Sequence, residues 1–237
     1  SSGYIGATRT GIAGLNDVLD IIHYDNDFNL QYRKPITNGE DPRTFVFNEI
    51  PYALTWSPNS ELLFTYKLID LKNEKVIKLE IESVKSPSPI GLLGKNWVPL
   101  VTGNQLYLIV TIHPKFRILK CDVDTGKCIW KSPIEDLKKE LDVSINRGGT
   151  PLIFHKGSGL YIGLGHRTYN HYNHKSFLYT LTHDYKILRI EEDFITGKNE
   201  VEDPSSIYEH DGKVFCCINN LRGGIKEGEV GLYQIIL

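Results

Sequence analysis

A proline recurs at four equivalent places in this chain, and that punctuation constrains the fold more than any other feature. Glu40-Asp41-Pro42-Arg43, Trp97-Val98-Pro99, Gly149-Thr150-Pro151 and Glu202-Asp203-Pro204 set their prolines 57, 52 and 53 residues apart. Each proline is followed by a short apolar strand, a tight turn, a longer apolar strand, a polar loop and two further strands. In the second unit the strands cover 44–48, 51–56, 62–69 and 75–81. The third unit repeats them over 98–101, 105–112, 116–123 and 127–130, and the fourth over 152–155, 160–165, 177–182 and 187–190. The fifth has 206–209, 214–218 and 230–236. Ahead of residue 40, the stretches 4–8 and 28–32 read as a first unit lacking its innermost strand. Four-stranded antiparallel units at a steady period near 53 predict an all-β, five-bladed β-propeller with an incomplete first blade. A β-sandwich is the alternative that the steady period disfavours. Residues 133–143, with Leu137 and Leu141 four apart, read as one short helix on a connection.

No shift in composition suggests a linker, so residues 1–237 are expected to form a single domain. Hydrophobic residues make up 41% and aromatic residues 11%, ample for a core, and the wealth of Tyr, Ile and Val favours strand over helix. A net charge of −2 leaves no field to recruit polyanions, so neither nucleic acid nor acidic membrane is expected as a partner. A small neutral or singly charged ligand fits better. The four cysteines, Cys121, Cys128, Cys216 and Cys217, are too few for a disulfide scaffold and are not spaced as a zinc site. Cys121 and Cys128 flank the Asp124-Thr125-Gly126 turn, where a hairpin would let them face each other. There is no Asn-x-Ser/Thr acceptor, no signal peptide and no apolar stretch of membrane length, so a soluble, reducing, cytoplasmic setting is expected. The chain has no Met even at its first position and reads as a fragment or a sequence with residues omitted.

In a propeller blade the innermost strand starts at one face, so the loop entering it shares that face with the loop joining the second strand to the third. The entering loops here are 38–43, 95–99, 146–151 and 201–205; the other set is 9–10, 56–57, 111–114, 165–175 and 219–222. Nearly every unusual polar residue falls in these loops, whereas the opposite face carries ordinary turns at 48–49, 102–103 and 211–212. A mouth with Asp, Arg, His, Asn and aromatic groups has the composition of a sugar site: carboxylates and amides for hydroxyls, rings for stacking.

The ordered set Asn38-Gly39-Glu40-Asp41-Pro42-Arg43, Lys95-Asn96-Trp97, Gly149-Thr150-Pro151 and Gly165-His166 resembles the β-mannoside phosphorylases of glycoside hydrolase family 130 and the related propeller β-mannosyltransferases. The resemblance covers most of the chain. It implies that Asp41 is the general acid or base of an inverting reaction, a role suited to a shielded carboxyl. It also implies that Arg43 holds Asp41 or the sugar, and that His166, with Arg167 beside it, contacts phosphate, since two cations suit an anion. Arg147 is expected to join them. Arg9, Lys95, Asn96, Thr150, Asn219 and Asn220 are expected to bind substrate. Two departures stand out: Ile112-His113-Pro114 replaces the phosphorylases' Arg before Pro, leaving His113 in that place, and Asn219-Asn220 replace an Asp that contacts the sugar.

The expected activity is glycosyl transfer or phosphorolysis at a β-mannoside or similar hexoside. The partners would be an oligosaccharide or sugar donor, with inorganic phosphate, a sugar 1-phosphate or a nucleotide sugar as co-substrate and no cofactor. The alternative is a non-catalytic glycan-binding propeller; a protein-interaction propeller fits least, because such repeats lack this axial charge. No metal centre is expected, because His171 and His174 lie on a predicted loop without a nearby acid or cysteine. Glu202-Asp203 repeats Glu40-Asp41 and offers a second carboxylate, although a strand-opening cap is the preferred reading. The sugar, the acceptor and the oligomeric state are open at this level.

Overall fold

The computed structural model describes residues 3–10, 17–58, 64–81, 96–113, 116–131, 146–170, 173–192, 195, 201–222 and 227–236. Among these residues there are twenty strands and no helix. The helix expected over 133–143 lies outside the described residues. The chain divides into two compact units, one of Ser1–Lys95, Val101–Leu108 and Leu119–Lys138, the other of Asn96–Leu100, Ile109–Ile118 and Lys139–Leu237.

In the first unit, β1 (Tyr4–Thr10), β2 (Val18–Tyr24) and β3 (Leu30–Asn38) form a three-stranded antiparallel sheet. The sheet is short of four strands, as the sequence predicts, but its members differ. β2 was not expected, and β3 runs to Asn38 rather than stopping near Tyr32. Leu19 and Ile21 of β2 show why the run is a strand: alternate residues that are fully buried, they pack with Ala53, Ile69 and Leu71. Burying side chains of this size contributes about 1.5–3 kcal/mol each.

The next sheet, β4 (Glu40–Phe47), β5 (Ile50–Pro58), β6 (Phe64–Asp70) and β7 (Lys75–Lys78), is the four-stranded antiparallel meander that the repeat predicts. The strand expected over 75–81 breaks in two. Its second half, β8 (Glu80–Ile81), leaves β6 and runs parallel to β12 (Lys127–Trp130). Gly126 permits this approach: its φ is +76°, and a Cβ there would collide with the Lys78 carbonyl. The sheet that receives β8 has the order β8-β12-β11-β10-β9, with β9 at Val98–Thr102, β10 at Gln105–Thr111 and β11 at Arg117–Cys121. Cys121 and Cys128 lie directly opposite each other across β11 and β12, and their sulfurs are bonded at 2.05 Å.

The second unit holds an eight-stranded sheet. Its path is β13 (Asn146–Gly148), β15 (Leu160–Asn170), β16 (Asn173–Leu181), β18 (Val201–His210), β19 (Lys213–Arg222) and β20 (Glu227–Ile235); β14 (Ile153–His155) pairs with β15, and β17 (Ile187–Glu192) with β16. The fourth and fifth expected blades are thus joined by one parallel step, His174 against Val201. Ile162, Leu164, Leu178, Ile207, Val214, Cys216, Ile218 and Ile235 form their shared core. No helix among the described residues is long and apolar enough to cross a membrane.

Candidate functional site

Among the described residues, eight non-glycine residues have positive φ, and six of them sit in turns between strands. The other two, Asp41 (φ 48°) and Asn96 (φ 68°), occupy the first residues of two repeat units and were both expected to serve a site. Asp41 is the more unusual, because a residue before proline is pushed toward extended backbone. It falls where the β4–β5 register jumps between Glu40 and Arg43, a bulge of the kind that re-aims a side chain. Non-glycine residues held in such conformations cost of order 1–3 kcal/mol and cluster at active sites.

In the first unit, Arg9 of β1 gathers three carboxylates. Its Nε donates to Asp17 Oδ1 at 2.8 Å and its Nη1 to Asp41 Oδ1 at 3.3 Å, with Glu40 Oε2 3.7 Å from Nη1. Burial on its own would lower the guanidinium's pKa, but the bond to Asp17 and the charges of Glu40, Asp17 and Asp41 lift it above its ordinary value. Glu40 is buried, and its carbonyl accepts a bond from Thr55 Oγ1 at 2.8 Å, which fixes the start of β4. Gly39 lets the chain pass there, since a Cβ would strike Leu19 at 2.9 Å. Arg43 is half-buried opposite Leu54. Asp41 keeps 29% of its side chain accessible, so this centre has an open carboxyl beside a cation and two shielded acids. Asp17 was not anticipated; no motif marks it, and only the pairing of β1 with β2 brings it to Arg9.

In the second unit, Asn96, Arg147 and His166 come together. Arg147 and His166 are direct partners across β13 and β15, and the Asn96 amide nitrogen lies 3.5 Å from His166 Nε2. Gly148 allows the approach, because a Cβ there would meet Val98 and the Asn96 carbonyl. His166 and Asn96 are buried. Within 165–175, expected as a loop, residues 165–170 belong instead to β15 and 173–175 to β16, so His166 stands on a ladder position. β16 carries His174 beside His166, the two rings stacked with centroids 4.9 Å apart, and His174 Nδ1 donates to Asp203 Oδ1 at 2.8 Å.

The structure disperses other expected site residues. Arg167 is bonded to Glu192 at 2.8 Å. Thr150 is fully buried and clamps Leu164 through both its amide and its hydroxyl, each at 3.0 Å. Asn220 is buried and donates to Tyr233 Oη at 2.9 Å, while its neighbour Asn219 is exposed opposite Asp203. His113 is exposed. Lys95 and His171 lie outside the described residues. The Glu202 carboxylate is buried against Lys175 Nζ at 3.0 Å and the Ser176 amide at 3.2 Å. It is a clamp between β16 and β18, and Asp203, not Glu202, is the accessible acid of that pair.

No family model matches the chain, and no curated protein sequence matches it. Solved structures do. The exo-β-1,3-galactanase of Phanerochaete chrysosporium, bound to β-1,3-galactotriose, is similar with a TM-score of 0.60 at 8% identity, over 96% of this chain and 59% of that one. This chain therefore spans little more than half of that galactanase. A family-43 β-1,3-galactosidase bound to galactodeoxynojirimycin gives a TM-score of 0.57 at 10% identity, over 95% of this chain and 84% of that one. A thermostable family-43 glycoside hydrolase gives 0.52 at 11%, over 100% and 91%. At these identities the likeness establishes the fold, an all-β five-bladed propeller, and does not support the mannoside phosphorylases in particular.

Proposed function

We propose that this chain is a carbohydrate-active enzyme that makes or breaks a glycosidic bond at a β-mannoside or similar hexoside, with inversion, and that Asp41 moves the proton. The observation that carries the proposal is Asp41 itself, held at φ 48° before a proline, with its carboxylate on an arginine shared with Asp17 and Glu40. The propeller fold common to the glycoside hydrolases above supports it.

In the breaking direction Asp41 gives its proton to the departing glycosidic oxygen as the bond to the anomeric carbon opens, and a phosphate or water oxygen attacks that carbon from the opposite side. In the synthetic direction the Asp41 carboxylate takes the proton of the acceptor hydroxyl while phosphate leaves. Arg9 orients the carboxyl, and Asp17 and Glu40 hold Arg9.

The test is Asp41→Asn, screened with hexose 1-phosphates, nucleotide sugars and β-linked mannosides. Turnover is expected to fall by ~10²–10⁴, the usual contribution of a positioned acid or base, while glycan binding persists. Turnover unchanged by the substitution overturns the assignment of Asp41. Glycan binding without turnover in the unaltered chain identifies a non-catalytic binding module instead.

A further inference from the structure

Among the described residues, His166, His174 and Asp203 form a group of ligand-type side chains outside the Arg9 centre, a set that the sequence scatters over 38 positions. One ring nitrogen of each histidine and one Asp203 oxygen all lie within 4.8 Å of one another. We propose that these three residues bind one divalent first-row transition ion. The inference does not depend on the glycoside reading, since it concerns what the three side chains hold rather than what is turned over.

The backbone supplies the arrangement. His166 stands on β15 opposite Ser176, and His174 lies two residues before Ser176 on β16, so both rings rise from one antiparallel pair. Asp203 comes from β18, which meets β16 in parallel at His174 and Val201. His166 is 3% exposed, so its ring is set before any ion arrives. Asp203 keeps 41% of its side chain accessible and His174 22%, which leaves an entry side and room for water or an exogenous oxygen as a further ligand.

The present contact between His174 Nδ1 and Asp203 Oδ1, at 2.8 Å, is close to the separation that two ligands of one ion adopt. Metal–ligand bonds of about 2.0–2.2 Å put neighbouring donors roughly 3–3.5 Å apart. Closing a set that already lies within 4.8 Å therefore asks for side-chain adjustment alone. Of the basic side chains on these strands, Lys175 is paired with Glu202 and Arg167 with Glu192, while Arg147 stands opposite His166 across β13 and β15. Two imidazoles and a carboxylate select zinc, manganese, iron, cobalt or nickel over calcium or magnesium, which prefer all-oxygen shells.

The test uses the full chain, stripped with chelator and titrated with Zn2+, Co2+ and, as a control, Ca2+, by calorimetry and thermal shift. The expected result is one Zn2+ bound per chain with a rise in Tm, Co2+ absorption without thiolate charge transfer, and no Ca2+ binding. His174→Ala and Asp203→Ala should each weaken Zn2+ by more than roughly tenfold, while His183→Ala, at an exposed turn, leaves it unchanged. Far-ultraviolet dichroism checks that each variant is folded; should either alanine variant fail, His174→Gln and Asp203→Asn take its place. Absence of Zn2+ binding, binding indifferent to His174 and Asp203, or a cobalt–thiolate band pointing to Cys217 would each overturn the proposal.

Discussion

Asp41 and Asn96 show how much a single backbone torsion reveals. A motif such as Glu-Asp-Pro-Arg marks Asp41 in the sequence, but an ordinary cap would look the same; what the structure adds is a positive φ inside a strand. Arg9 is the residue on which that centre depends. Replacing it with Met leaves Asp17, Glu40 and Asp41 facing one another without a cation, and should lower stability by roughly 1–3 kcal/mol, read from urea midpoints, with turnover falling as in Asp41→Asn. Glu202 is the buried counterpart. Its carboxylate is fully enclosed and holds both Lys175 and the Ser176 amide, so Glu202→Ala should cost about 3–5 kcal/mol. A loss below about 1 kcal/mol would show that water replaces the carboxylate there.

Between elements, glycines decide how closely strands pass. Gly126 and Gly159 both have positive φ, at +76° and +69°, yet only Gly126 faces a neighbouring backbone, the Lys78 carbonyl. Alanine at Gly159 should cost about 1–2 kcal/mol of conformational strain. At Gly126 the same change adds a collision with β7 and should cost more, with early loss of amide-exchange protection at Glu80, whose N–H bonds the Gly126 carbonyl at 2.8 Å. Equal midpoints for the two variants would contradict the steric account. The turn at Gly126 was legible in the sequence; the β8 crossover was not, because 75–81 alternates like one continuous strand and only the partner chosen at Glu80 divides it.

At the scale of the molecule, the cysteines link structure to conditions. Burial, then the neighbouring Cys217, pushes the Cys216 thiol up to about 12. A thiol whose folded pKa is raised keeps the native state favoured below its unfolded value near 9, and that contribution is lost as pH climbs from 9 toward 12, because the unfolded chain ionises first. Tm should therefore fall through that window, and Cys216→Ala should flatten the fall. Without reductant, alkylation of the folded chain should label Cys217 alone, since Cys121 and Cys128 are bonded and Cys216 is buried. Labelling of Cys121 or Cys128 would show that their bond does not form in the purified protein.

The proline period, the alternating strands and the turn residues are local signals, and they were enough to specify an all-β chain of repeated antiparallel units; Asp41, Asn96 and His166 were marked by the family resemblance. Side-chain alternation and turn chemistry act over a few residues, so one sequence suffices to read them. What brought Asp17 to Arg9, His174 and Asp203 to His166, and Arg167 to Glu192 was strand pairing between segments with no shared motif. Register and partner choice depend on which buried faces fit together, as Leu19 and Ile21 do against Ala53 and Ile69. That decision is made by packing over the whole tertiary structure, because each strand's own pattern is compatible with several neighbours.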